Sequence, residues 1–250
     1  MFLSVEQKKR STPLTQKWYR DKQQHISDAQ RRAIREHWPA YGIDLKYGVP
    51  LRLNESFKGL PYDSIVLDIG FGMGESLIDM ALQRPASAFL GCEIHRAGIG
   101  SALLRLTETT PAPQNVRIVR SDVTLLFECF LPDACLDEIC VFFPDPWPNT
   151  ERDGERRVIR DSMIALFETK LKIGGSLRMA TDVKDYADHI MVVMASRQGR
   201  WRVDYAIEHD ACCEDFAVKR PTTKYERRAK ELGNRVWDFH FLLLPADSFS

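Results

Sequence analysis

Short apolar runs rich in β-branched and aromatic residues recur from residue 64 onward, separated by stretches with helical spacing. Five of them, 64–69, 88–93, 116–120, 136–142 and 175–181, read as the buried strands of a parallel sheet. The intervening segments 75–84, 96–107, 157–170 and 182–196 predict helices. Two later runs, 201–205 and 236–244, predict antiparallel strands at the sheet edge. This alternation predicts an α/β fold with a doubly wound, mostly parallel seven-stranded sheet, helices on both faces and an antiparallel edge strand near the C-terminus. Upstream, 27–38 fits a helix with Ile34 and Trp38 on one face, Ser27 or Asp28 as its cap and Pro39 as its stop. Residues 41–61 read as irregular, and 1–24, polar and basic, as a mobile arm. The expected division is 1–60, a basic arm and helix, and 61–250, the α/β domain.

The first strand ends in Gly70, Gly72 and Gly74, so strand, glycine turn and helix follow one another as in a nucleotide-type βαβ unit. A dinucleotide fold wants G-x-G-x-x-G, with pyrophosphate on the helix N-terminus. Here the spacing is G-x-G-x-G, flanked by Asp68 and Glu75. Carboxylates at that helix start repel a pyrophosphate and suit a cationic ligand. S-adenosylmethionine, with a sulfonium and an ammonium, is such a ligand. A tight strand–helix turn with no ligand is the plainer alternative.

In open α/β sheets, ligands sit outside the carboxyl ends of the strands. Asp68, Glu93, Asp122 and Asp145 all fall at such ends. Glu93 lies where an acid reaches ribose hydroxyls, and Asp122 where one meets an adenine edge. The sharpest motif is Phe142-Phe143-Pro144-Asp145-Pro146-Trp147-Pro148. Its prolines stiffen a loop directly after a strand and clamp Asp145 between two rings, as suits a carboxylate held beside a substrate. Trp147 offers a flat face for a base to stack on. The competing reading is a rigid turn that caps the core.

Composition narrows the classes without choosing among them. The chain has 250 residues and a formal net charge of +0, so no global basic field announces a nucleic-acid partner. Charge is segregated all the same. Lys8, Lys9, Arg10, Lys17, Arg20, Lys22, Arg31, Arg32 and Arg35 crowd the arm and first helix. Lys219, Arg220, Lys224, Arg227, Arg228, Lys230 and Arg235 crowd a late segment. Cys92, Cys129, Cys135, Cys140, Cys212 and Cys213 form no C-x-x-C pair, which favours reduced core thiols over a zinc site or disulfides. No signal peptide or membrane-length apolar run is evident, so a cytoplasmic location is expected.

Taken together, Leu67-Asp-Ile-Gly-Phe-Gly-Met-Gly-Glu75, Leu90-Gly-Cys-Glu-Ile-His95, Phe142-Phe-Pro-Asp-Pro-Trp147 and Thr181-Asp182 resemble the bacterial tRNA (guanine-N7)-methyltransferase family. Arg220-Pro-Thr-Thr-Lys-Tyr-Glu-Arg227 and Leu232-Gly-Asn-Arg-Val-Trp-Asp238 extend the resemblance, which runs from about Ile65 to about Phe241. The glycine turn alone indicates only a class I, Rossmann-like methyltransferase. The Pro-Asp-Pro-Trp and Thr-Lys-Tyr-Glu motifs are what point to this family.

The resemblance implies methyl transfer from S-adenosylmethionine to N7 of the guanine at position 46 of tRNA, leaving S-adenosylhomocysteine. It implies Asp68, Gly70, Gly72, Gly74, Glu93, Asp122 and Asp145 on the cofactor side, with Asp145 also catalytic. Asn149, Asp182, Thr223, Lys224, Tyr225 and Glu226 would line the substrate side. The expected partner is tRNA, with no membrane, no metal and a monomer or homodimer. Guanine N7 carries a lone pair and no proton, so no base is needed, and positioning carries most of the rate. One stretch departs from the family: Asn149 replaces the usual lysine, and Glu151, Asp153 and Glu155 replace basic or neutral positions, while Arg152, Arg156 and Arg157 remain. Each lost phosphate contact weakens RNA binding. A divergent paralogue acting on another guanine-containing RNA, or a non-catalytic RNA-binding scaffold on the same fold, therefore stays open. An NAD-linked oxidoreductase is disfavoured by the glycine spacing and Glu75.

Overall fold

The computed structural model describes residues 26–59, 61–150, 154–197, 199–210 and 220–246. The basic arm up to His25, the acidic Glu151 and Asp153, Arg152, Cys212, Cys213 and Lys219 lie outside the described residues. The elements in order are α1 (Asp28–Tyr41), β1 (Gly42–Ile43), α2 (Leu53–Ser56), β2 (Ser64–Ile69), α3 (Glu75–Gln83), β3 (Ser87–Glu93), α4 (Arg96–Glu108) and β4 (Val116–Arg120). There follow α5 (Val123–Cys129), β5 (Leu136–Phe142), α6 (Asp161–Lys170), β6 (Leu171–Thr181), α7 (Lys184–Ala195), β7 (Trp201–Asp210), α8 (Lys224–Leu232) and β8 (Arg235–Leu243).

One sheet joins every strand, in the order β1-β4-β3-β2-β5-β6-β8-β7. The pairs from β1 through β6 are parallel, and β8 runs antiparallel to both β6 and β7. The strand order reverses between β2 and β5, which places the first glycine turn beside the end of β5 at the switch point where such sheets bind ligands. Alternation along β2 explains the two cores. Leu67 and Ile69 pack on one face with Leu90, Ile139, Phe127, Phe167 and Tyr186. Val66 packs on the other with Phe89, Leu77, Leu103 and Cys140. Cys92 and Cys140 are buried and Cys129 and Cys135 half-buried, all as free thiols.

The sheet has eight strands where the pattern predicts seven. The extra one, β1, is two residues long and pairs with β4, too short to register as an apolar run. The helix predicted to stop at Pro39 continues to Tyr41, with Pro39 inside its last turns. It ends where the Gly42 N–H bonds back to the Trp38 carbonyl, and the Trp38 ring fills the space a Cβ on Gly42 would need. Strand β6 starts at Leu171, upstream of the Gly174-Gly175 pair, and β7 reaches Asp210. The helix predicted from 157 starts at Asp161, because 157–160 is tied into the preceding loop by buried Arg157. The helix predicted from Asp182 starts at Lys184. Three helices have no counterpart in the sequence reading. α2, a four-residue turn, falls within 41–61, which reads as irregular. α5 spans only seven residues, too few to show a period. α8 is charge-rich, with Ala229 its buried residue, so it has no apolar stripe to read.

α1 lies across α4. A Cβ on Gly100 would meet the Gln30 Cβ at 2.6 Å, so glycine lets the helices close. The Gln30 amide then donates to the Ser101 hydroxyl at 2.9 Å. This contact matters below, because it stops α4 from retreating. No helix among the described residues is long and apolar enough to cross a membrane.

Candidate functional site

The turn after β2 holds Gly70, Gly72 and Gly74 at φ of 70°, 58° and 83°. That region is strained for any residue with a side chain. Gly72 has nothing within 4 Å of where a Cβ would stand, so its surface is an open cradle. Behind it, α4 begins with Gly98, whose added Cβ would lie 2.4 Å from the Gly72 carbonyl oxygen. The turn thus rests on α4 through a contact only glycine permits.

Glu93 at the end of β3 holds the turn from the other side. Its carboxylate accepts the Gly72 N–H at 3.0 Å and the Ile94 and His95 N–H groups at 2.7 and 2.9 Å. Asp68, at 1% exposure, lies beneath. Its Oδ2 is buried with no hydrogen-bond partner among the described residues. Burial pushes this carboxyl up to about 7; the charges of Glu93 and Glu138 add to the rise, and a hydrogen bond from Ser76 opposes it. The other predicted acids are placed differently. Asp122 caps α5, accepting from the Thr124 and Leu125 N–H groups at 2.9 and 3.3 Å. Asp145 is exposed in the loop after β5 and makes no ion pair among the described residues. Its loop is held through backbone. Phe143 N–H donates to the Ala180 carbonyl, Trp147 N–H to the Asp145 carbonyl, and Arg157 Nε to the Trp147 carbonyl at 2.5 Å. Phe143 sits at φ 51°, a left-handed conformation that costs a non-glycine residue strain and fixes the direction in which the loop leaves the sheet.

Facing the turn is the start of α8. Thr223 caps it, its hydroxyl accepting the Glu226 N–H. Thr223, Lys224 and Tyr225 form a cleft with Asp68, Gly70 and Gly72, which also takes in Phe71, Met73, Glu75, Ser76 and Phe142. Tyr225 stacks on Phe143 with centroids 5.9 Å apart and rings 20° from parallel. Gly74, Glu93, Asp122, Asp145, Asn149, Asp182 and Glu226 are not among the lining residues. Asn149 is exposed, and Asp182 is half-buried just past the end of β6. The lining residues that the sequence did not single out follow from the turn itself. Ser76 is on α3's first turn and bonds Asp68, and Phe142 ends β5 alongside β2.

Several charges have other work than the sequence suggested. Glu75, expected to help select a cation, accepts from Arg105 at 2.7 Å and Arg227 at 2.5 Å, so its charge is already paired. Of the two carboxylates that flank the turn, Asp68 is the one with an oxygen left unpartnered among the described residues. The Trp147 ring carries the Arg156 guanidinium 3.3 Å from its centroid, so that face is taken. Arg157 is 1% exposed and pairs with Asp185 at 3.1 Å, tying the loop to α7 instead of facing solvent. Arg220 is likewise buried, bonded to Asp238 and Glu226.

Asp68 makes a pH prediction. In the unfolded chain it titrates near its ordinary value of 3.8, and in the fold near 7. Between those values the folded state holds a proton that the unfolded state has lost, so stability falls as pH rises through the window and levels off above it. Asp68→Asn removes that loss. Its stability relative to the parent is expected to rise from pH 5 to pH 8, by an upper bound of about 2.6 kcal/mol, and its thermal midpoint rises with it. Melting curves across that range check this, and a difference that stays constant contradicts it.

Residues 62–239 match the family described as "Putative methyltransferase". A protein of Saccharophagus degradans named "tRNA (guanine-N(7)-)-methyltransferase" is 39% identical over 221 residues, covering 86% of this chain and 90% of that one. Proteins of the same name from Nitrosococcus oceani and Yersinia pestis are 39% and 36% identical, covering 86% and 88% of this chain and the same shares of their own. Among solved structures, the 16S rRNA methyltransferase KamB superposes with a TM-score of 0.57 at 19% identity, over 80% of this chain and 100% of its own. The 16S rRNA (adenine(1408)-N(1))-methyltransferase from Catenulisporales acidiphilia gives 0.57 at 14%, over 82% and 97%. These two likenesses concern the fold.

Proposed function

The chain belongs to the tRNA (guanine-N(7)-)-methyltransferase family, and we propose that it methylates N7 of guanine in tRNA, at position 46 of the variable loop, with S-adenosylmethionine as donor. The observation that carries this reading is the cleft in which the cofactor-type turn and the Thr223-Lys224-Tyr225 wall face each other. Two features suit the donor. Gly72 leaves an open cradle, and Asp68 keeps one buried oxygen unpartnered among the described residues, which suits a cationic group. Asp68, Gly70, Gly72 and Gly74 would hold it, with Glu93 fixing the turn and contributing an acid at the end of β3. Asp122 would act from the neighbouring strand end.

When bound, S-adenosylmethionine supplies a methyl group activated by a sulfonium leaving group. The protein's part is then placement and charge. Guanine N7 needs no deprotonation, so neither a histidine nor any other base is required. Tyr225 offers an exposed aromatic ring at the cleft mouth for an unstacked base. Positive charge develops on the purine as N7 is alkylated, and Asp145, with no ion pair among the described residues, is the carboxylate to stabilise it. Glu226 is already matched by Arg220 and serves better as an orienting acceptor.

Radiolabel transfer from S-adenosylmethionine to unmodified tRNA, with ribosomal RNA in parallel, tests the reading. Label in tRNA alone supports it, and label in ribosomal RNA alone points to the divergent paralogue. Donor binding without transfer to either points to the scaffold. The exposed Asn149 gives a second check. Asn149→Lys should tighten tRNA binding and steepen the salt dependence by roughly 0.7 to 0.9 in log–log slope, one phosphate's worth. An unchanged slope in a binding titration over salt means that this loop does not touch RNA.

A further inference from the structure

Arg220 follows Lys219 in the late basic run, where a solvent-facing cation is the plain reading. Its surroundings contradict this. The side chain is 2% exposed. Nε and Nη2 form a two-point bond to Asp238 on β8, at 2.5 and 2.8 Å, and Nη1 donates to Glu226 on α8 at 2.5 Å. The guanidinium carbon lies 5.3 Å from the Phe143 ring centroid and 5.8 Å from that of Phe142, where the Pro-Asp-Pro-Trp loop begins. Three separate elements therefore meet on one planar cation.

The far side of the cluster is braced too. Asp238 receives His209 Nε2 at 2.8 Å from β7. Its backbone pairs with Ala180 of β6, and Ala180 accepts the Phe143 N–H. Burial works against the Asp238 charge, and Arg220 and His209 overcome it, holding the carboxyl below its ordinary range. A guanidinium fork can serve two carboxylates at fixed angles, which a single ammonium cannot.

We infer that Arg220 is a positioning residue: its fork locks the start of α8 and the loop after β5 to β8, and so fixes Tyr225 and Glu226 relative to the loop that carries Asp145. The inference rests on the proposed reading of this cleft as a guanine-N7 methylation site. Arg220 itself touches neither cofactor nor RNA.

Arg220→Lys separates this role from a phosphate contact, because lysine keeps the charge and loses the fork. As a positioning residue, its replacement lowers kcat on tRNA by about 100-fold, the scale of a misplacement near 1 Å. Amide exchange should speed up at 221–229 and 142–147 and stay unchanged in the β2, β3 and β4 strands. A merely structural role would raise exchange across the whole sheet. A phosphate contact would leave kcat and exchange near the parent's; either pattern overturns the inference. Should Arg220→Lys fail to fold, Glu226→Gln keeps the Asp238 pair and is read on exchange alone; a start of α8 as protected as the parent's overturns the inference. The parent enzyme is assayed alongside. If it fails to methylate tRNA, the functional reading falls, and the exchange pattern still decides whether Arg220 fixes α8.

Discussion

Asp145→Ala is expected to lower kcat for methyl transfer by about 100- to 1,000-fold while S-adenosylmethionine affinity changes only severalfold. The asymmetry follows from how the loop is built. Its shape depends on bonds to backbone: Phe143 N–H to the Ala180 carbonyl, Arg157 Nε to the Trp147 carbonyl, and Trp147 N–H to the Asp145 carbonyl. None of these uses the Asp145 side chain, and alanine leaves them in place. The carboxylate is exposed and has no ion pair among the described residues, so its removal strands no buried partner there and costs little stability. What is lost is one negative charge beside a base that becomes cationic. Single-turnover kinetics and calorimetric titration of the donor measure the two effects separately. Equal losses in both would mean that Asp145 only binds the donor.

Gly98→Ala is expected to weaken donor binding by at least tenfold, about 1.4 kcal/mol. Helix propensity alone predicts the opposite sign, since alanine in a helix is favoured over glycine by about 1 kcal/mol. Sterics decide. The new Cβ would stand 2.4 Å from the Gly72 carbonyl oxygen, and backbone cannot swing aside as a flexible side chain does. α4 cannot back away either, because Gln30 presses on Gly100 and bonds Ser101. The turn must move, pulling Gly72 N–H from Glu93 and deforming the cradle over Asp68. Calorimetry gives the affinity and a melting curve confirms the fold. Donor binding as tight as the parent's would show that the turn does not form the cofactor site.

The strands and the turn were legible because their signals are local. Isoleucine, valine and leucine beside spaced glycines carry the βαβ opening in a dozen residues, and the Pro-Asp-Pro-Trp loop advertises its stiffness in its own composition. Charge was legible only as location. Arg157 and Arg220 sit in arginine- and lysine-rich stretches, and nothing local marks them as buried; their partners Asp185 and Asp238 are distant in sequence. Glu75 looked free for the same reason, since Arg105 and Arg227 reach it from two other helices. α8 was hidden because its nine residues make their contacts through ion pairs and one tyrosine ring instead of an apolar stripe. The late basic run reads as a solvated charged face, whereas its first arginine is a buried tie.

The account stands or falls on which atom receives the methyl group. Unmodified tRNA incubated with the enzyme and S-adenosylmethionine, then digested and mapped by mass spectrometry, identifies that atom directly. The predicted product is 7-methylguanosine in the fragment that holds the variable-loop guanine at position 46. A methyl group on any other base or ring position, or intact unmodified tRNA from an enzyme that binds the donor, contradicts it.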